Sequence, residues 1–166
     1  MIYRYKSTLT RPGNATVYAA GDAVTDTDGD PIELIPGGYS NNGRIIGAKL
    51  SISNGGVTNP AFRLFFFSDD ANVPALTDNS AFAMTAAAEE DLIGYTDFTL
   101  EVTGSSGSSV AWDVNPELYI PFSQKVVSGT AQGLYGVLTA TAAYNPVGEL
   151  TVVDIVIYFE EESAYS

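Results

Sequence analysis

The sequence predicts an all-β fold, an antiparallel β-sandwich or jelly roll with one short helix in a connection, and three observations predict it. From Arg44 onward, apolar runs of strand length recur, each closed by Gly, Pro, Asn, Asp or Ser. Several of these runs alternate apolar with polar residues, the period of a strand with one buried face. A single segment has helical character, and it is short. Strands spaced in this way bury their apolar faces by packing sheet on sheet.

Taken in order, residues 1–14 read as an extended N-terminal arm and residues 15–166 as a single β-sandwich domain. ATVYAAGDAV (15–24) and PIELI (31–35) supply one or two short strands around the turn-rich TDTDGD. In RIIGAKLSIS (44–53), Ile46, Ala48, Leu50 and Ile52 alternate with Ile45, Gly47, Lys49 and Ser51, which predicts a strand half open to water. FRLFFFS (62–68) is too apolar to alternate and is placed centrally, covered on both faces. TAAAEEDLIGY (85–95) is the helix candidate, with Thr85 as N-cap and Glu89 and Glu90 early in it. DFTLEVTGS (97–105) alternates again and runs into the flexible loop GSSGSS. ELYIPF (117–122) carries Pro121, which confines it to a sheet edge or a bulge. GLYGVLTATAAY (133–144) and LTVVDIVIYFE (150–160) are β-branched and aromatic, and the NPVG between them predicts a hairpin.

A chain of 166 residues fits one domain, and a domain of that size buries roughly 70% of the surface its unfolded chain exposes. There are no cysteines and no histidines. Thiolate nucleophiles, disulfides, imidazole bases and most zinc or copper sites are therefore excluded together. Without cysteine the sequence is silent about redox compartment. MIYRYKSTLTRPG is not followed by an apolar core of the kind an export signal needs, and no stretch reaches the roughly 18 apolar residues of a membrane span. The expectation is a soluble chain with no membrane partner.

The net charge of −13 disfavours nucleic acid as a partner, because phosphate binding depends on Lys and Arg displacing counterions. The charge is unevenly placed. Residues 1–63 carry six of the seven basic residues and a net of +1, whereas residues 64–166 carry a net of −14. Arg4, Lys6 and Arg11 fall in the first eleven residues and are the candidate partner-binding residues. They read either as a cationic arm reaching an acidic neighbour, such as another copy of the same protein, or as an ordinary solvated terminus.

No catalytic, cofactor or metal site is predicted. Asp26, Asp28 and Asp30 have the spacing that opens a calcium loop, but Pro31 stands where that loop needs glycine and Gly37 where it needs glutamate. The segment reads as a turn first and as a calcium site of another type second. SDDAN (68–72) is read in the same way, as a loop start. A glycosidase needs only two facing carboxylates, and Glu101, Asp113, Glu117 and Asp154 are candidates that nothing in the sequence pairs. Trp112, Tyr119, Phe122 and Tyr135 could line a sugar-stacking surface, but a tryptophan beside a strand reads first as a core or interface anchor.

RPGNATVYAAGDAV (11–24) resembles a segment of small virion structural proteins of tailed bacteriophages, through Arg11, Pro12, Asn14, Thr16, Tyr18, Gly21 and Asp22. Residues 64–95 are similar too: an apolar strand, a proline-containing loop, Asp78-Asn79, Ala81-Phe82 and an acidic helix ending in Ile93-Gly94-Tyr95. The resemblance implies a phage particle protein, a capsid decoration or cement protein first. It would be a homotrimer that binds the phage major capsid protein on the outer capsid surface, after synthesis in the host cytoplasm. A tail- or fibre-associated adhesion or carbohydrate-binding domain is the alternative. No defined binding residues carry over. From the residues themselves, Arg11-Pro12 is expected to be extended, Tyr18 buried and Gly21-Asp22 a turn.

Overall fold

The computed structural model describes residues 1–13, 16–38, 42–52, 60–100, 113–114, 118–124, 126–143, 145–146 and 152–162. In chain order the strands are β1 (Ile2–Thr10), β2 (Ala23–Val24), β3 (Ile32–Ile35), β4 (Asn42–Ile52), β5 (Ala61–Phe67), β6 (Leu92–Thr99), β7 (Asp113–Val114), β8 (Ile120–Ser123), β9 (Val126–Val127), β10 (Thr130–Ala131), β11 (Leu134–Ala140) and β12 (Val152–Glu161). The helix α1 (Ala86–Asp91) lies between β5 and β6.

Pairing sorts ten of these twelve strands into two antiparallel five-stranded sheets, and β9 and β10 pair with each other as a separate two-stranded one. The front sheet has the order β1-β12-β4, with β7 and β8 both on the far side of β4. The back sheet runs β11-β5-β6, with β2 and β3 both pairing β11. Leu9, Ile45, Leu50, Ile155, Ile157 and Phe159 from the front meet Leu34, Phe62, Leu64, Phe66 and Leu138 from the back in one continuous core. The molecule is thus the expected antiparallel β-sandwich. β5 has the double burial that its apolar run predicts: Phe62, Leu64 and Phe66 enter the core, while Phe67 packs outward with Val137, Leu76 and Ala88. That outer cluster is how α1 and the loop before it cover the back sheet.

Four expectations are corrected. Residues 2–10, expected within an extended arm, form β1, which pairs with β12 over its whole length from Ile2↔Glu160 to Thr10↔Val152. Tyr3, Tyr5 and Leu9 recur at every second or fourth position and pack against the core, so the segment is bound by its own alternation. The Ser7 hydroxyl also donates to the Glu33 carbonyl and ties β1 to β3. The expected hairpin of the last two long runs does not form. β11 is central in the back sheet and β12 central in the front sheet, and residues 141–151 carry the chain from one to the other. Each strand already has neighbours on both edges, and each sends apolar side chains into the same core from opposite sides.

The helix is shorter than TAAAEEDLIGY predicts. Thr85 does cap it, its hydroxyl accepting from the Ala88 N–H at 3.1 Å. Leu92 onward, however, is strand, because Leu92, Gly94 and Tyr95 pair with Phe67, Phe66 and Phe65 of β5. Finally, the apolar phase of β4 slips by one residue at a bulge opposite Tyr158/Phe159. Ile45 is therefore fully buried on the core side, and Ile46 is the inserted residue. The Pro121 expectation holds: Pro121 lies in β8, which pairs with β4 along one edge among the described residues. The GSSGSS loop and the continuation of β6 beyond Leu100 lie outside the described residues.

The two segments that carry the resemblance meet in space. Ala23 N–H donates to Ser80 O at 2.8 Å, and Asn79 and Phe82 N–H donate to Ala23 and Gly21 O, each at 2.9 Å. Gly21 makes the expected turn at φ +95. Beneath this turn Arg11 is wholly buried, its Nε donating to the Tyr18 hydroxyl at 2.7 Å, and that hydroxyl donates in turn to Asp78 Oδ1. Asp78 Oδ1 also accepts from Thr25 N–H at 3.2 Å. Burial pushes the Tyr18 phenol far above its ordinary value, and the bond to Asp78 pushes it further while Arg11 opposes. Tyr18 therefore stays a protonated donor, locking Arg11 and residues 18–25 to the 76–82 loop.

Candidate interaction face

β12 is the axis of the front sheet. Val153, Ile155, Ile157 and Phe159 point into the core. Asp154, Val156, Tyr158 and Glu160 therefore point outward. Pairing on both sides of β12 sets the outward residues of β1 and β4 in rows. Lys6, Val156 and Lys49 form one row, and Arg4, Tyr158 and Gly47 the next. Ile2, Glu160 and Arg44 form a third, and Thr8, Asp154 and Ser51 a fourth.

Four of the seven cations, Arg4, Lys6, Arg44 and Lys49, thus share one sheet face with two carboxylates. Lys6 Nζ lies 2.8 Å from Asp154, which also accepts from the Thr8 hydroxyl at 2.8 Å. Burial alone would push the Asp154 carboxyl up, but the hydrogen bonds from Lys6 and Thr8 and the Lys6 and Lys49 charges hold it below its ordinary value. Arg44 Nη2 lies 2.6 Å from Glu160 and its guanidinium rests over the Tyr119 ring at 5.4 Å. Beside Arg44 an open groove of about 420 Å³ is lined by Tyr119, Pro121, Ser123, Glu160 and Glu162.

Of the predicted partner-binding residues, Arg4 and Lys6 are exposed on this face, and Arg11 is not. Arg11 is corrected to an internal charge held by Tyr18 and Asp78, out of reach of any partner. Arg44 and Lys49 were missed as partners of Arg4 and Lys6, since only shared pairing with β12 unites residues some forty positions apart. Asp26 accepts from Asp28 and Gly29 N–H, each at 3.1 Å, and makes the turn that TDTDGD favours. Asp69 caps its own loop through Ala71 N–H. No group of three acidic residues that could hold a metal is present among the described residues.

Of the candidate carboxylates, Asp154 is engaged with Lys6, while Glu101, Glu117 and the side chain of Asp113 lie outside the described residues. Trp112 lies outside them too. The other aromatics do not share a surface: Tyr119 is 64% exposed, Phe122 is buried, and Tyr135 belongs to the back sheet. The back sheet's outer layer is by contrast acidic, with Asp70, Glu89 and Glu90 exposed. Its cation, Arg63, is spent on a two-pronged bond to Asp97 at 2.7 and 2.8 Å.

No protein-family model and no curated protein matches the sequence. Solved structures that align along nearly the whole chain include the PRD1 vertex protein P5, at 12% identity and TM-score 0.33, covering 95% of this chain and 96% of that one. A semi-empty virus-like particle of the giant freshwater prawn Macrobrachium rosenbergii nodavirus aligns at 12% identity and TM-score 0.33, over 100% of this chain and 96% of that one. Cocksfoot mottle virus aligns at 10% identity and TM-score 0.28, over 97% and 93%.

Proposed function

We propose that this chain is a bacteriophage virion structural protein, a capsid decoration or cement protein that binds the outer capsid surface as a homotrimer and bridges coat subunits. The observation that carries the reading is the use of the two phage-like segments: they interlock around buried Arg11, Tyr18 and Asp78 and brace a rigid sandwich. Buried charge here serves scaffolding. A rigid body with a broad sheet face binds a particle with little ordering cost, and repetition by particle symmetry multiplies weak contacts. The sequence supports a non-enzymatic role through its lack of histidine and cysteine. Synthesis in the host cytoplasm and residence on the capsid surface follow from that role. The test is saturable binding to assembled capsids of the encoding phage, with no binding to free coat subunits.

A second reading, a tail- or fibre-associated carbohydrate-binding domain, is favoured by one observation. Tyr119 stands exposed at the rim of a groove with Arg44, Ser123 and Glu160, an aromatic platform beside hydrogen-bonding groups suited to a sugar ring. A glycan array separates the two readings: signal lost in Tyr119→Ala favours the sugar reading, and a blank array favours decoration.

A further inference from the structure

We infer that the outer face of the front sheet, centred on Arg4, Lys6 and Lys49, is the surface that docks on the particle, and that its partner there is a carboxylate-bearing protein surface. The inference rests on the decoration reading and adds the face and the chemistry of the contact.

Charge complementarity selects the partner. At its centre the face holds Arg4, Lys6 and Lys49 against Asp154, a local surplus of positive charge on a chain of net −13, whereas Arg44 at its end sits among Glu160, Glu161 and Glu162. Nucleic acid fits it poorly. A phosphate backbone continuing past the patch would meet the carboxylates of Glu160 and Glu162 beside Arg44, well within a Debye length of about 8 Å. A folded protein surface instead can place carboxylates opposite Arg4 and Lys49 and donors opposite Asp154 and Glu160, matching a mixed pattern row by row.

Shape and size agree. β1, β12 and β4 are held in one ladder, so Arg4, Lys6 and Lys49 project from a preformed surface. Three strands span about 10 Å and six residues of strand about 20 Å, well below the roughly 800 Å² per partner of a stable binary interface. One such contact is weak, and several copies around a symmetry axis make it strong.

The experiment compares wild type with Arg4→Glu/Lys49→Glu, each co-sedimented with assembled capsids over a range of sodium chloride. Arg63→Gln, on the back sheet, serves as control. Circular dichroism verifies folding, and light scattering without capsids gives the oligomeric state. The expected result is wild-type binding that weakens with salt, binding about tenfold weaker in the double variant at low salt, and an unchanged Arg63→Gln. Equal binding by the double variant overturns the inference and leaves decoration standing. A double variant that loses its oligomeric state in solution also overturns it, assigning the face to a second copy. DNA that competes with capsid for wild type, but not for the variant, overturns it in favour of nucleic acid. Failure of wild type to bind capsids at all removes the decoration reading itself.

Discussion

Lys6 and Lys49 stand in register on either side of Val156, and Val156 is only 3% exposed although its neighbours Ile155 and Ile157 are the residues that face the core. A valine on the outer face of a sheet is sheltered when long side chains beside it lay their methylene stems across it while their ammonium groups stay in water. The ladder on both sides of Val156 thus sets the two lysines on a fixed platform.

That platform depends on β1. Deleting residues 1–11 removes the whole partner of one β12 edge and the buried Arg11 together. The truncated protein is expected to be insoluble or to lose its cooperative thermal transition, read by circular dichroism and gel filtration. A soluble truncated protein with a sharp transition would mean that the segment is dispensable.

Arg11 and Tyr18 form the second dependency. Arg11→Ala leaves Asp78 buried beside an empty site, and loss of one member of a buried charged set costs about 3–5 kcal/mol. Tyr18→Phe removes one buried hydrogen-bonding group, at about 1–3 kcal/mol. Denaturant unfolding of both variants and of the double variant measures their coupling, and the double variant is expected to lose less than the sum. Additive losses would show that the two residues act separately.

The raised Tyr18 phenol has a pH consequence with a definite sign. Its folded value lies above its ordinary 10.0, so the stability it lends is intact below pH 10 and drains away as pH rises toward the folded value. Wild type should lose stability more steeply above pH 10 than Tyr18→Phe, in urea midpoints measured across alkaline buffers. Parallel curves would place the ionising group elsewhere.

Much of the fold was legible in local pattern. The apolar run Phe62–Phe67, interrupted by Arg63, reported burial on both faces, Pro121 reported an edge, and Tyr18 and Gly21-Asp22 behaved as their residue types demand. What stayed hidden was long-range. Asn145 and Pro146 signal a turn, but a turn signal does not say whether the next strand returns to the same sheet, and β11 and β12 are apolar enough for either answer. The cationic face was hidden for the same reason. Arg4 and Lys6 occur at period two, as do Lys49 and Ser51, yet only their common pairing with β12 sets them side by side. Arg11 misled because a buried arginine and a solvated one are identical in sequence until Tyr18 and Asp78 are found around it.

The most direct test of the proposed decoration role is cryo-electron microscopy of undecorated capsids of the phage that this role assigns to the chain, after incubation with the purified protein. Decoration predicts added density at fixed symmetry-related positions on the outer surface, bridging neighbouring coat subunits, and no complex with free coat protein. Capsids that remain bare at saturating protein, or equal binding to free subunits, would contradict it.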